Sequence, residues 1–270
     1  MISNGETVGV GITTRNRIDS FRVCLRHFEK YSTVLDSVVV VDDNSIQEIR
    51  EETERITSGS SLPITLKYSD SRLGIAKAKN ACLAGLSSFD HVFLFDDDAW
   101  PVKQGWEEYW IKANKENHIG HSMWLVDFPI LNEVIKKERT VGDGDTELSE
   151  FANCLGVALY FSRECLNAIG GYDASAKNVY GYEHAQMSSR AQVAGFTGGY
   201  TYLAPTKCSD YIYSIDISLN WMGIQPPLYD LSELSVGSSV TAEEVTNHKD
   251  NSILMSTTSV NIPLVDPLGE

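Results

Sequence analysis

Short apolar runs alternate with amphipathic polar stretches through the first half of the chain, the rhythm of a mostly parallel sheet covered by helices. Residues 8–13, 37–41, 64–68 and 91–95 read as strands, and 18–31, 47–57 and 75–86 as helices. The helix over 47–57 carries Glu48 with Glu52 and Glu51 with Arg55 at helical spacing, which predicts a solvated face. Beyond Trp100-Pro101 the pattern predicts a helix over 105–114, a loop around Gly142-Asp143-Gly144-Asp145, a buried strand over 151–161 and a helix within 180–194. From about Leu228 the composition turns to Ser, Thr, Val and acids, with Lys249 the only cation. That tail is expected to be a lid, an oligomer contact or a weakly ordered segment.

With 270 residues, 42% of them hydrophobic, the chain can bury an ordinary core without disulfides or a partner. No apolar run approaches the length of a membrane span, and the N-terminus enters a strand-like segment instead of a signal, so a cytoplasmic protein is expected. Cys24, Cys82, Cys154, Cys165 and Cys208 are scattered without CxxC spacing, which predicts reduced, mostly buried thiols. A net charge of −15 argues against gripping nucleic acid by bulk electrostatics.

Val92-Phe93-Leu94-Phe95 runs into Asp96-Asp97-Asp98, an apolar strand ending in carboxylates where ligands sit in open α/β sheets. On an extended chain Asp96 and Asp98 point the same way and can share a divalent cation, Mg²⁺ or Mn²⁺, while Asp97 faces elsewhere. A solvated turn of acids is the alternative. Asp42-Asp43-Asn44-Ser45 ends another apolar strand and offers either a carboxylate for a ribose or base N–H, or an Asx turn capping the next helix. Arg15 and Arg17 in Thr13-Thr14-Arg15-Asn16-Arg17 are candidates for a nucleobase or phosphate, or incidental loop cations. Arg72 and Lys79, seven apart, are expected on one helix face. Gly170-Gly171-Tyr172-Asp173 and Tyr180-Gly181-Tyr182-Glu183-His184 read as an acceptor platform, with rings for sugar faces and Glu or His for a hydroxyl proton. The alternative there is a helix N-terminus whose Glu183 complements the dipole.

Taken in order, these segments resemble family-2 glycosyltransferases and their GT-A relatives over roughly residues 8–190. The resemblance implies a Rossmann-like α/β fold over 1–227, with 1–120 binding the nucleotide sugar and 121–227 the acceptor, followed by the 228–270 tail. It implies that Thr13, Arg15 and Asp42 hold the nucleoside, usually uridine, and that Arg17, Asp43, Arg72, Lys79 and Asp97 lie around the nucleotide sugar. Asp96 and Asp98 become a DxD motif that binds the diphosphate through Mn²⁺ or Mg²⁺, with residues 123–128 and 151–161 lining the donor sugar and acceptor. Many inverting relatives have Glu-Asp where this chain has Glu183-His184, the Asp serving as base; here Glu183 is the preferred base and His184 the other candidate. Relatives also carry a later metal-binding His, for which Asp210, His248 and His184 are the substitutes. The expected partners are a nucleotide-sugar donor and a glycan, lipid-linked saccharide, protein or small-molecule acceptor, with nucleic acid disfavoured by the acidity. A sugar nucleotidyltransferase is disfavoured because no glycine-rich N-terminal loop with a basic residue is present. A catalytically silent sugar-nucleotide-binding protein is the other alternative.

Overall fold

The computed structural model describes residues 5–117, 119–121, 137–151, 156–174, 183–199 and 202–214. Residues 123–128, the Tyr180-Gly181-Tyr182 turn, His248 and the 228–270 tail lie outside the described residues. The first half reads β1 (Val8–Thr14), α1 (Ile18–Tyr31), β2 (Ser37–Asp42), α2 (Gln47–Ser58), β3 (Ile64–Tyr68), α3 (Ile75–Gly85), β4 (His91–Asp96), β5 (Ala99–Pro101) and α4 (Trp106–Ala113). The rest supplies β6 (Ile119–His121), β7 (Lys137–Val141), β8 (Leu148–Phe151), β9 (Ala158–Ser162), α5 (Arg163–Ile169), α6 (Glu183–Val193), β10 (Tyr202–Pro205) and β11 (Ile212–Ser214).

Among the described residues the central sheet has the order β3-β2-β1-β4-β9-β6. Its first four strands are parallel, and β9 runs antiparallel to both β4 and β6. Both faces are covered, so β1, β2 and β4 are apolar throughout instead of alternating with polar residues. Val38 and Val40 join Val10, Ile12, Phe93 and Phe95 in the cluster under α1 and α4. Val39 and Val41 join Val92 and Leu94 in the cluster under α3, α5 and α6. Trp106 anchors the first cluster, edge-on to Phe28, Phe93 and Phe95 at centroid distances of 5.7, 4.8 and 5.6 Å.

The glycines of β1 set how closely α3 approaches. A Cβ at Gly11 would lie 2.6 Å from the Cys82 Cβ, closer than packed atoms tolerate. Only a bare backbone lets this helix sit on the strand, and α3 carries Lys79 and Asn80 toward the sheet's edge. Because strand order reverses around β1, the carboxyl ends of β1, β2 and β4 converge at a topological switch point, the place where ligands bind in such sheets.

The strands and helices expected in the first half form with ends shifted by at most one residue. The single strand expected over 151–161 does not form: Phe151 closes β8 in a three-stranded sheet with β7 and β10, while Ala158 opens β9 in the central sheet. Phe151 and the Ala158 to Phe161 run are apolar and buried, so hydrophobicity alone joined them. α5, capped by Ser162 Oγ accepting from the Cys165 N–H at 3.1 Å, and the three-residue strands β5, β6 and β11 are too short to leave a periodic signature.

Candidate active site

Register brings the donor-side residues together. Thr13 lies opposite Asp96 across β1 and β4, and Thr14 opposite Asp42 across β1 and β2. Thr13 Oγ1 donates to Asp96 Oδ1 at 3.0 Å. The strand stops at Asp96, and Asp97-Asp98 form a turn into β5, so the extended geometry expected for all three acids holds only for the first. In that turn Asp97 points inward. Its carboxylate is fully buried, accepts from Thr14 Oγ1 at 2.6 Å and pairs with the Arg17 guanidinium, and its carbonyl accepts from Ser20 Oγ at 2.6 Å. Burial pushes the Asp97 carboxyl up to about 7, against the lowering pull of Arg17, while the charge of Asp98 adds to the rise. Burial also raises Asp96, partly offset by Lys79 and reinforced by Asp98.

Arg17 spans the turn, its other nitrogen donating to Asp98 Oδ2 at 2.8 Å. Asp98 Oδ1 is buried and has no hydrogen-bond partner among the described residues. Mg²⁺ and Mn²⁺ are commonly held by one or two carboxylates plus substrate phosphates, without a full protein cage. The open Asp98 oxygen beside Asp96 fits that pattern. Among the described residues no group of three or more His, Cys, Asp or Glu side chains forms a closed metal site. Of the expected third ligands, Asp210 lies in a turn whose charge acts on Tyr109 of α4, and His184 contacts Glu183.

The loops after β1 and β2 interlock. Asn16 and Asn44 have φ of 53° and 61°, a left-handed conformation that asparagine tolerates better than most residues. The Asn16 N–H donates to Ser45 Oγ at 2.8 Å, and the Ile46 N–H to Asn16 Oδ1 at 2.9 Å. Asp42 is fully buried. Its Oδ1 accepts from the Ser45 N–H at 2.7 Å and lies 3.9 Å from Arg50 Nε, while Oδ2 has no partner among the described residues. The buried Nε of Arg15 has no hydrogen-bond partner there either. Asp42 therefore braces the loop through Ser45, three residues on, without capping α2, whose N-cap Ile46 has no side-chain cap, and still presents one acceptor. Asp43 is spent differently: its carboxylate accepts from the Leu73 and Gly74 N–H groups and fixes the start of α3.

A second cluster gathers behind the edge. Lys79 is 1% exposed and donates to the Gly156 carbonyl at 2.9 Å, with Asp96 Oδ1 at 3.4 Å and Glu183 Oε1 at 3.7 Å. Arg72 does not share its face. It precedes α3 in an exposed turn, since the helix starts only at Ile75. Glu183 and His184 are both buried and touch, Nδ1 to Oε1, at 3.5 Å. Burial alone would raise the Glu183 carboxyl, but His184 and Lys79 outweigh it and hold the group down at about 2. Gly156 lies against the imidazole, where a Cβ would come within 2.5 Å of His184 Nδ1. Tyr172 is fully buried, so its ring packs in the core and is not a sugar platform. Its backbone instead exchanges two hydrogen bonds with the Asn80 amide, at 2.9 and 2.7 Å, tying its loop to α3.

Residues 9–139 match the model of glycosyl transferase family 2. Among solved structures the chain resembles the mannosyltransferase PcManGT of Pyrobaculum calidifontis in complex with GDP-Man and Mn²⁺, at 19% identity, a TM-score of 0.54, and 75% of this chain against 55% of that one. It also resembles GalNAc-T7 with UDP, GalNAc and Mn²⁺, at 14% identity, TM-score 0.58, and 79% against 45%. TarS of S. aureus in complex with UDP matches at 16% identity, TM-score 0.50, and 77% against 60%. The chain thus spans about half the length of the first two, and at these identities the likeness is one of fold: a GT-A glycosyltransferase fold, mixed α/β with a mostly parallel sheet. No curated protein matches the chain by sequence. Among the described residues no helix is long and apolar enough to cross a membrane.

The sequence pattern left several residues of the site unnamed. Thr14, Ser20, Ser45 and Arg50 serve the acids at the strand ends, and their only signal is position, at the end of a strand or on the loop or first helical turn after one. Gly156 left a fainter one, a glycine within an apolar run, which often marks a close approach of another group.

Proposed function

We propose that the chain transfers a sugar from a uridine diphosphate donor to an acceptor hydroxyl by direct displacement, with inversion at the anomeric carbon. The observation that carries this reading is the sheet register that sets Asp42 and Asp96 at the carboxyl ends of β2 and β4, on either side of β1, with the open Asp98 oxygen in the turn that follows β4. The nucleotides held by the fold neighbours, GDP-Man in one and UDP in two, leave the base open. Asp42 favours uracil, because one carboxylate oxygen is already occupied by Ser45. The remaining oxygen suits the single N3–H of uracil, whereas guanine offers two adjacent donors that match a fully free carboxylate. Thr13 and Arg15 complete the nucleoside side, and Asp43 acts by fixing the turn before α3.

Asp96 and Asp98 would hold the divalent cation, Mn²⁺ or Mg²⁺, whose charge stabilises the departing diphosphate. Glu183, kept anionic by its neighbours, accepts the proton of the acceptor hydroxyl, and His184 orients that carboxylate. Residues 1–120 then form the donor side and 121–227 the acceptor side, the acceptor being a glycan, lipid-linked saccharide, protein or small molecule.

Calorimetric titration with UDP, GDP and ADP, each with Mn²⁺ and with excess chelator, tests this. UDP is expected to bind at least about tenfold more tightly than either purine nucleotide, a difference of about 1.4 kcal/mol, and only with the metal. A purine preference would sink the uridine assignment, and unchanged UDP affinity in chelator would sink the metal role.

A further inference from the structure

Lys79 occupies an unusual place for a cation, almost without solvent contact between two carboxylates that belong to different halves of the site. An ammonium has three N–H donors, and the neighbours described above match that number: the Gly156 carbonyl before β9, Asp96 at the end of β4 and Glu183 at the start of α6. The Tyr172 ring lies on a further side, its centroid 5.9 Å from Nζ. The carbonyl distance of 2.9 Å is that of a hydrogen bond, whereas 3.4 and 3.7 Å to the carboxylates are ion-pair distances. At 1% exposure the side chain is walled off from a ligand. The resemblance would make Lys79 a contact to the nucleotide sugar; the geometry argues otherwise.

We propose that Lys79 is a positioning residue, which holds Glu183 in register with Asp96 and so aligns the acceptor side with the donor side. The proposal rests on the transferase reading above. Two buried carboxylates facing one another without a cation repel, and one of them relieves the repulsion by taking a proton or turning away. At Asp96 a bound divalent cation supplies the missing charge. Glu183 keeps its contact with His184 at 3.5 Å but loses the group that links it to Asp96, so loss of the ammonium falls on the base.

The test is a double-mutant cycle between Lys79→Met, which keeps length and apolar stem but removes the charge, and Glu183→Gln. UDP affinity in Mn²⁺ is measured by calorimetry, UDP release from UDP-glucose, UDP-galactose and UDP-N-acetylglucosamine by initial rates, and stability by thermal melting. Lys79→Met is expected to bind UDP within about threefold of the parent and to lose about 100-fold in kcat, the range of a lost general base. The double variant should be no slower than the slower single, because both changes disable the same group. Losses that multiply, or a tenfold weaker UDP affinity with kcat retained, would overturn the proposal and make Lys79 a donor contact. In melting, adding Glu183→Gln to Lys79→Met should raise the midpoint, since it removes one of the two uncompensated acids. If Lys79→Met alone does not fold, the double variant is expected to fold; a double variant no more stable than the single overturns the proposal. A parent chain that neither binds UDP nor releases it from any of the three donors refutes the reading as a UDP-dependent transferase, and the melting arm still reports on the coupling of Lys79 to Glu183.

Discussion

The two sides of the site are charged in opposite ways. On the donor side, acids outnumber the cations that hold them, and one carboxylate oxygen each on Asp42 and Asp98 is left open among the described residues. Asp42 ends β2 and Asp98 lies in the turn just past β4, and these two parallel strands flank β1, so the sheet sets how far apart the two acids stand. On the acceptor side, Glu183 is enclosed by Lys79 and His184, and its neighbours come from α3, the segment before β9 and α6, which no sheet register relates. The donor side is built to gain charge from a ligand, and the acceptor side to keep charge in place without one. Variants should separate accordingly, in affinity on the donor side and in turnover on the acceptor side.

The sharpest break is expected at Glu183. Glu183→Gln should slow transfer by about 10²- to 10⁴-fold while UDP affinity in Mn²⁺ stays nearly unchanged, read from initial rates beside calorimetry. If His184→Ala gives that result and Glu183→Gln does not, the imidazole is the base.

Next come Asp96→Asn and Asp98→Asn, each expected to weaken metal-dependent UDP binding by about tenfold or more, about 1.4 kcal/mol per decade. Equal UDP affinity with and without Mn²⁺ in the parent chain would remove the basis for the comparison.

A smaller loss is expected from Gly156→Ala, whose new methyl meets the His184 ring. Displacing the imidazole should slow turnover by about tenfold, less than the roughly 10²-fold that a 1 Å misplacement can cost, again with UDP affinity kept. A fall in UDP affinity instead would show that the two sides are not separable.

The smallest effect lies in stability against pH. The Glu183 carboxyl is held at about 2 in the fold against an ordinary value of 4.5. A depressed acid contributes stability that is present above about pH 4.5 and is lost as pH falls toward 2. Glu183→Gln should therefore melt below the parent at pH 6, and the gap should narrow as pH falls from 4.5 toward 2. A gap independent of pH would mean that the carboxylate is not stabilised as a charge.

The strand-end acids were legible in the sequence because their placement is local. An apolar run that stops in Asp96-Asp97-Asp98, or in Asp42-Asp43, marks a strand end, the place where such sheets take ligands. What could not be read was the division of labour among neighbours. Asp97 turns inward to Thr14 and Arg17 because the chain bends after Asp96, and Asp43 faces the start of α3. Spacing on an idealised strand carries no information about such a bend.

By itself the sequence determined the α/β alternation, the helices and strands of the first half and the acids at the strand ends, since each depends on periodicity within a dozen residues. Only the tertiary structure decided that the apolar stretch 151–161 divides between two sheets, that Tyr172 faces the core, that Arg72 lies off the helix carrying Lys79, and that Lys79 meets Glu183. Those outcomes depend on contacts between segments far apart in the chain. The approach of α3 to β1 across Gly11 brings Lys79 to Asp96, and the packing of α6 brings Glu183 to the same ammonium.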